Sequence, residues 1–150
     1  MPTPRPVSAL RIKEMLHGRD MDSWEDHTTD GQSLMVAMHN AVFIWDASDP
    51  HILHIRAHWR GEATNTASFE ALSREVATCN STRTGPKAYL SSRECGGRFN
   101  LVAECNILTI SGLTERQLNA FAEASMSMIM SFFADLEAAH PELVTWEDYA

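Results

Sequence analysis

His54 and His58 stand four residues apart as the H-x-x-x-H half of a zinc site, and a chain with seven histidines invites a metal or acid–base reading first. That spacing serves one ion only on a helix. Here Leu53, Ile55, Ala57 and Trp59 alternate with His54, Arg56 and His58, the period-2 pattern of a strand with one wet face. Four residues along a strand cover about 13 Å, too far to share an ion whose bonds to nitrogen are about 2 Å long. Asp49 and His51 flank Pro50, a setting in which an aspartate is a turn residue. No metal ligand is expected.

The other reactive side chains lead to the same place. Cys79, Cys95 and Cys105 contain no C-x-x-C pair, and an odd number gives no disulfide framework, so they read as reduced thiols of a cytoplasmic protein. Cys79 and Cys105 are expected to be buried, and Cys95 to lie in the turn beside Gly96-Gly97. Cys79, the best nucleophile candidate, falls on the apolar face of a helix rather than at an N-terminus that would lower its pKa. The chain has no G-x-S-x-G, and Gly96-Gly97 belongs to neither a phosphate loop nor a dinucleotide fingerprint. Glu104 shares the polar face of a strand with Arg98, Asn100, Val102 and Asn106 and reads as half of an ion pair. Met126, Met128 and Met130 sit on a helix, where 128 points away from the other two, so packing suits them better than a soft metal. Catalytic, cofactor-binding and metal-ligating residues are all expected to be absent.

The elements that hold these residues follow from periodicity. Val7 to His17 carries apolar residues at Val7, Leu10, Ile12, Met15 and Leu16 before Gly18, a short amphipathic helix. Five acidic residues between positions 19 and 32 mark an exposed connection around Trp24, its one candidate for burial and for a short strand. Leu34 to Met38 and Ala41 to Trp45 form a hairpin, and the strand of His54 and His58 follows the Asp46–Pro50 turn. Asn65 or Thr66 caps a helix with Phe69, Leu72, Val76 and Cys79 on one side, ending near Asn80. Lys87–Ser91 and Phe99–Ile107 make a second hairpin. Thr114 and Gln117 form a capping box for a helix that runs to Pro141, about 37 Å long. The fold class is therefore α+β: a two-layer, five-stranded antiparallel sheet with helices in the order α-β-β-β-α-β-β-α.

Composition narrows the partners. The 150 residues include 12 basic and 20 acidic side chains, a net charge of −8 with no concentrated basic patch, so no nucleic-acid binding is expected. At 44% hydrophobic and 21% charged, with no long apolar run, the chain reads as one globular domain over residues 1–150 without a membrane span. Its start, Met-Pro-Thr-Pro-Arg-Pro, has no apolar core of a secretory signal, which places the protein in the cytoplasm. On the last helix the apolar residues span an arc of roughly 200°, about twice what one sheet covers. The surplus, chiefly Met126, Met130 and Phe133, predicts a symmetric homodimer with that helix in its contact. Coverage by the first helix of the same chain is the other option.

The second half also resembles a known family. Val76 to Asn80 at a helix end, Pro86-Lys87-Ala88-Tyr89-Leu90, Ala103-Glu104 on a strand, and Gly112-Leu113-Thr114 followed by Gln117-Leu118 are similar to the YbjN family, described as candidate bacterial sensory-transduction regulators. The resemblance covers about residues 6–141 and is strongest over 69–141. It departs from the family's V-N-x-W-N segment, since Ala77 and Cys79 replace the first Asn and the Trp while Asn80 keeps the second Asn. The resemblance implies a type III secretion chaperone-like fold and no catalytic residue, cofactor or substrate. The expected function is a non-enzymatic regulator or chaperone-like module that binds another protein. Its rival is a small-molecule sensor or enzyme using the polar sheet face around His54, Arg56, His58 and Glu104, which requires that face to be concave.

Overall fold

A computed structural model describes residues 2–26, 30–92 and 97–146. The chain runs α1 (Ala9–Gly18), β1 (Trp24–Glu25), β2 (Ser33–Ala37), β3 (Ala41–Asp46), β4 (Ile52–Ala63), α2 (Thr66–Thr82), β5 (Lys87–Ser92), β6 (Phe99–Leu108) and α3 (Glu115–Ala139), then a 3₁₀ turn at Pro141–Leu143. The strands form one antiparallel sheet in the order β1-β2-β3-β4-β6-β5. The α+β class and the arrangement of three helices about an antiparallel sheet are as expected, but the sheet has six strands rather than five. The extra strand, β1, pairs Trp24 with Met35 and Glu25 with Leu34. Two residues are too few to show alternation, and the acidic residues around them read as a loop. Trp24, the expected buried residue of this stretch, is 45% exposed.

Strand alternation sends one set of side chains to a single core. Along β4, Leu53, Ile55, Ala57 and Trp59 are buried while their neighbours are half-exposed, and in register with them stand Trp45, Phe43 and Ala41 of β3 and Cys105 and Ala103 of β6. These inward residues and the buried faces of all three helices make one cluster. The helices therefore lie on the same side of the sheet, and among the described residues its other side carries none.

The caps form as the sequence predicts. Asn65 Oδ1 accepts from Ser68 N at 2.8 Å with Ser68 returning the bond, and Thr114 and Gln117 exchange bonds of 2.8 and 3.1 Å. Helix α3 is the middle helix. On one side Arg83 and Glu75 of the α2 region reach its Asp135 and the following His140, and on the other Arg11 and Arg19 of the α1 region reach its Glu115 and Asn119. A helix flanked on both sides and seated on a sheet buries a wider arc than one resting on a sheet alone. That geometry takes up much of the apolar surplus within the chain. Phe133 is 0% exposed, against Trp59 at a centroid distance of 6.5 Å, so it cannot belong to a surface stripe.

The chain's beginning is strapped to the start of α3. Arg5 and Leu113 exchange backbone hydrogen bonds of 3.1 and 2.9 Å. Arg11, 8% exposed, donates to Arg5 O at 2.7 Å, Pro6 O at 2.9 Å, Leu113 O at 2.9 Å and Glu115 Oε1 at 2.8 Å. The strap passes so close to Gly112, whose φ is +73°, that a Cβ there would lie 2.6 Å from Arg5 O.

Candidate functional site

The uncovered side of the sheet presents β1 to β5 as rows that cross the strands. One row reads Trp24, Met35, Ile44, Arg56, Glu104 and Lys87. The rows beside it hold Ser33, Asp46, His54 and Asn106, and Ala37, Val42, His58, Val102 and Tyr89. Strand pairing thus divides the face into an apolar half over β1–β3 and a polar centre over β4 and β6.

At the centre, Arg56 Nε donates to Glu104 Oε1 at 2.9 Å and its Nη2 reaches Asp46 Oδ2 at 3.4 Å. His54 Nδ1 hydrogen-bonds Asn106 Oδ1 and lies 4.0 Å from Glu104 Oε1, while Asn106 Nδ2 donates to Glu104 Oε2 at 3.4 Å. His58 Nδ1 meets Asn100 Nδ2 at 3.0 Å. Burial pushes the Asp46 carboxyl up, but the Ser48 hydroxyl and N–H and the Arg56 charge together hold it below the ordinary value. Burial, reinforced by Glu104 and eased by Arg56, pushes the Tyr89 phenol up. These groups satisfy one another: the arginine is matched by two carboxylates, and each histidine faces an amide. Among the described residues no cluster of three metal-ligating side chains occurs. His54 and His58 do lie on one strand and one face, each turned to a different neighbour on β6.

Hollows occur elsewhere. Three open grooves of about 350, 330 and 320 Å³ flank α1, the start of α2 and the α1–β2 junction, lined among others by Lys13 and His17, by Phe69 and Phe99, and by Ser8 and Gln32. A fourth, of about 20 Å³, opens between α3 and the sheet, where Met126 and Met130 meet Met21 and Met38 over Phe43 and Trp45. None of these includes His54, Arg56, His58 or Glu104, so the small-molecule alternative draws no support from the geometry.

The cysteine expectations divide. Cys79 and Cys105 are buried, at 1% and 8% exposure, and burial pushes both thiols up. Cys79 Sγ donates to Pro86 O at 3.4 Å, and Cys95 lies outside the described residues. Of the stripe residues, Met126 and Met130 stay half-buried. What the sequence did not foretell is the pairing across rows. Arg56 finds Asp46 only because the hairpin register sets Ile44 opposite Arg56 and Asp46 opposite His54.

With three helices behind a bare antiparallel sheet on the page, comparison with known proteins decides the family. The model of the YbjN family, described as "Putative bacterial sensory transduction regulator", matches residues 8–138. The chain belongs to the YbjN family. A solved structure similar to it is the crystal structure of YbjN, a putative transcription regulator from E. coli, with a TM-score of 0.74 over 93% of this chain and 97% of that one. At 16% identity the likeness is one of YbjN fold. No curated protein matches the chain in sequence. No helix among the described residues is long and apolar enough to cross a membrane.

Proposed function

We propose that this YbjN-family chain is a non-enzymatic regulator that works by binding another protein in the cytoplasm, and that it meets its partner through the uncovered sheet face. The observation behind this reading is the combination on that face of an apolar half, Trp24, Met35, Ile44 and Val42, with a polar centre whose arginine is already paired with two carboxylates. A centre whose charged groups are already paired adds register, and the apolar half supplies the area that a protein partner buries. The E. coli protein is described as a putative transcription regulator. A net charge of −8 favours a protein over DNA as the direct contact for this chain if it acts at that level.

A homodimer belongs to the same proposal. Met126 and Met130, half-buried at the mouth of the methionine-lined hollow, are the α3 residues left to touch a second copy once Phe133 is withdrawn. Light scattering coupled to size exclusion tests this, and a species of 16.8 kDa at micromolar concentration contradicts the dimer.

For the partner, a photo-crosslinking residue is placed at Met35, on the bare face, or at exposed Lys13 of α1. The proposal expects a cross-linked partner chain from position 35 and not from 13, lost in Ile44→Asp while the fold is kept. Equal capture from both positions, or capture indifferent to Ile44→Asp, overturns it.

A further inference from the structure

β5 closes one side of the sheet and pairs with β6 alone. In an antiparallel strand the N–H and C=O of one residue point to the same side, and those of the next residue to the opposite side. Ala88 N donates to Asn80 Oδ1 at 2.8 Å, and Asn80 Nδ2 donates to Ala88 O at 2.9 Å. Both backbone groups of Ala88 therefore point away from β6, and by parity so do those of Leu90 and Ser92. A primary amide offers a donor and an acceptor spaced like those of a peptide group. One side chain thus does for Ala88 what a residue of a seventh strand would do. Asn80 is fixed for the task, because the residue before it, Cys79, is buried and bonded to Pro86 O. Among the described residues nothing is hydrogen-bonded to the outward groups of Leu90.

We propose that Asn80 is an edge guard that withholds β5 from pairing with β5 of a second copy of this chain. Such an edge complements itself: antiparallel pairing about Leu90 sets Ala88 opposite the second copy's Ser92 and the reverse. Left open, the pairable stretch would run from Ala88 to Ser92, the common strand length of about five residues. With Ala88 engaged it shrinks to Leu90–Ser92, about three residues, the shortest strands found. An unguarded edge is the ordinary route to association between sheet proteins.

Native-state hydrogen exchange on the intact parent protein is the first test. Ala88 should exchange at least about tenfold more slowly than Leu90, although both point outward. Asn80→Ala should speed Ala88 exchange at high dilution. On concentration it should form a species of twice the parent's mass in which the Leu90 amide becomes protected. Adding Ser92→Pro, which deletes an outward N–H without removing a bond to β6, should restore the parent's mass. Equal exchange at Ala88 and Leu90 in the parent overturns the proposal. So does a folded Asn80→Ala that keeps the parent's mass when concentrated, or an assembly that survives Ser92→Pro. Should Asn80→Ala fail to fold, the exchange comparison in the parent decides alone.

Discussion

Replacing Arg11 by leucine removes the clamp that holds the amino-terminal strap to α3. Its guanidinium makes five hydrogen bonds to four groups, and it is the best-buried charge of the strap. The groups left behind fare differently. Arg5 O and Leu113 O keep each other's backbone N–H, whereas Pro6 O loses the bond from Arg11. Glu115, with its side chain 58% exposed, can be rehydrated and keeps Arg5 at 2.8 Å, so its share is discounted for solvent screening. With about 1 kcal/mol for each neutral carbonyl bond and little for the exposed ion pair, the loss is about 2–4 kcal/mol. At about 2–4 °C per kcal/mol for a chain of this size, the melting temperature should fall by about 4–16 °C. Arg11→Lys should recover less than half of this, since a single ammonium cannot reach four acceptors arranged around a planar fork. Differential scanning calorimetry gives the shift, and limited proteolysis shows whether residues before Ser8 come loose. A melting temperature for Arg11→Leu within a degree of the parent's, with the strap still protected, would refute the reasoning.

Glu115 is held below the usual carboxylate range by its hydrogen bond from Arg11, against a small burial effect, with Arg5 adding to the lowering. Its stabilisation is therefore complete above the unfolded pKa and is lost as pH falls through the lower folded one, so Glu115→Gln should lower stability at neutral pH, flatten the acid limb of a stability–pH curve and converge on the parent at low pH. Gly61 lies beneath the Trp59 ring, 2.2 Å from where a Cβ would stand, and that ring is pinned by Glu137, Phe133 and Trp146. Gly61→Ala should cost about 1–3 kcal/mol in urea unfolding, with a shift in tryptophan emission. Phe133→Asp should unfold the chain, seen as loss of far-ultraviolet circular dichroism, because it buries an unpaired carboxylate. A folded monomer from that variant would contradict its core position.

Much of the fold is legible in the sequence because it is written locally. The caps Asn65 and Thr114 announce their helices within three residues, and the alternation from Leu53 to Trp59 fixes both the strand and which face of it is wet. What escapes is either too short or too distant. β1 has only two residues, and Arg11, set in the apolar stripe of α1, has its purpose at Leu113 and Glu115, about a hundred positions away. The width of the apolar arc on α3 is plain in the sequence. Its cause, a place between two other helices, lies in the packing, which is why Phe133, a dimer-contact residue by its place in that arc, is core. On the candidate face, His54, Arg56, His58 and Glu104 share one side as read, whereas the second carboxylate partner, Asp46, depends on register across a hairpin.

The strap also carries a clock. Residues 5 and 113 must meet to form the Arg5–Leu113 bridge, and closing so long a loop yields little until the sheet and the start of α3 already stand. During synthesis the proline-rich arm leaves the ribosome well before its partner and waits for it through about a hundred further residues, roughly 5–20 s at ordinary elongation rates. Of the two sides of the bridge, the one made earlier thus waits unfastened until the later one is in place. By the same token it is the first to be released, so the arm should come free before the sheet when the protein is stressed, leaving the rest of the domain folded behind it.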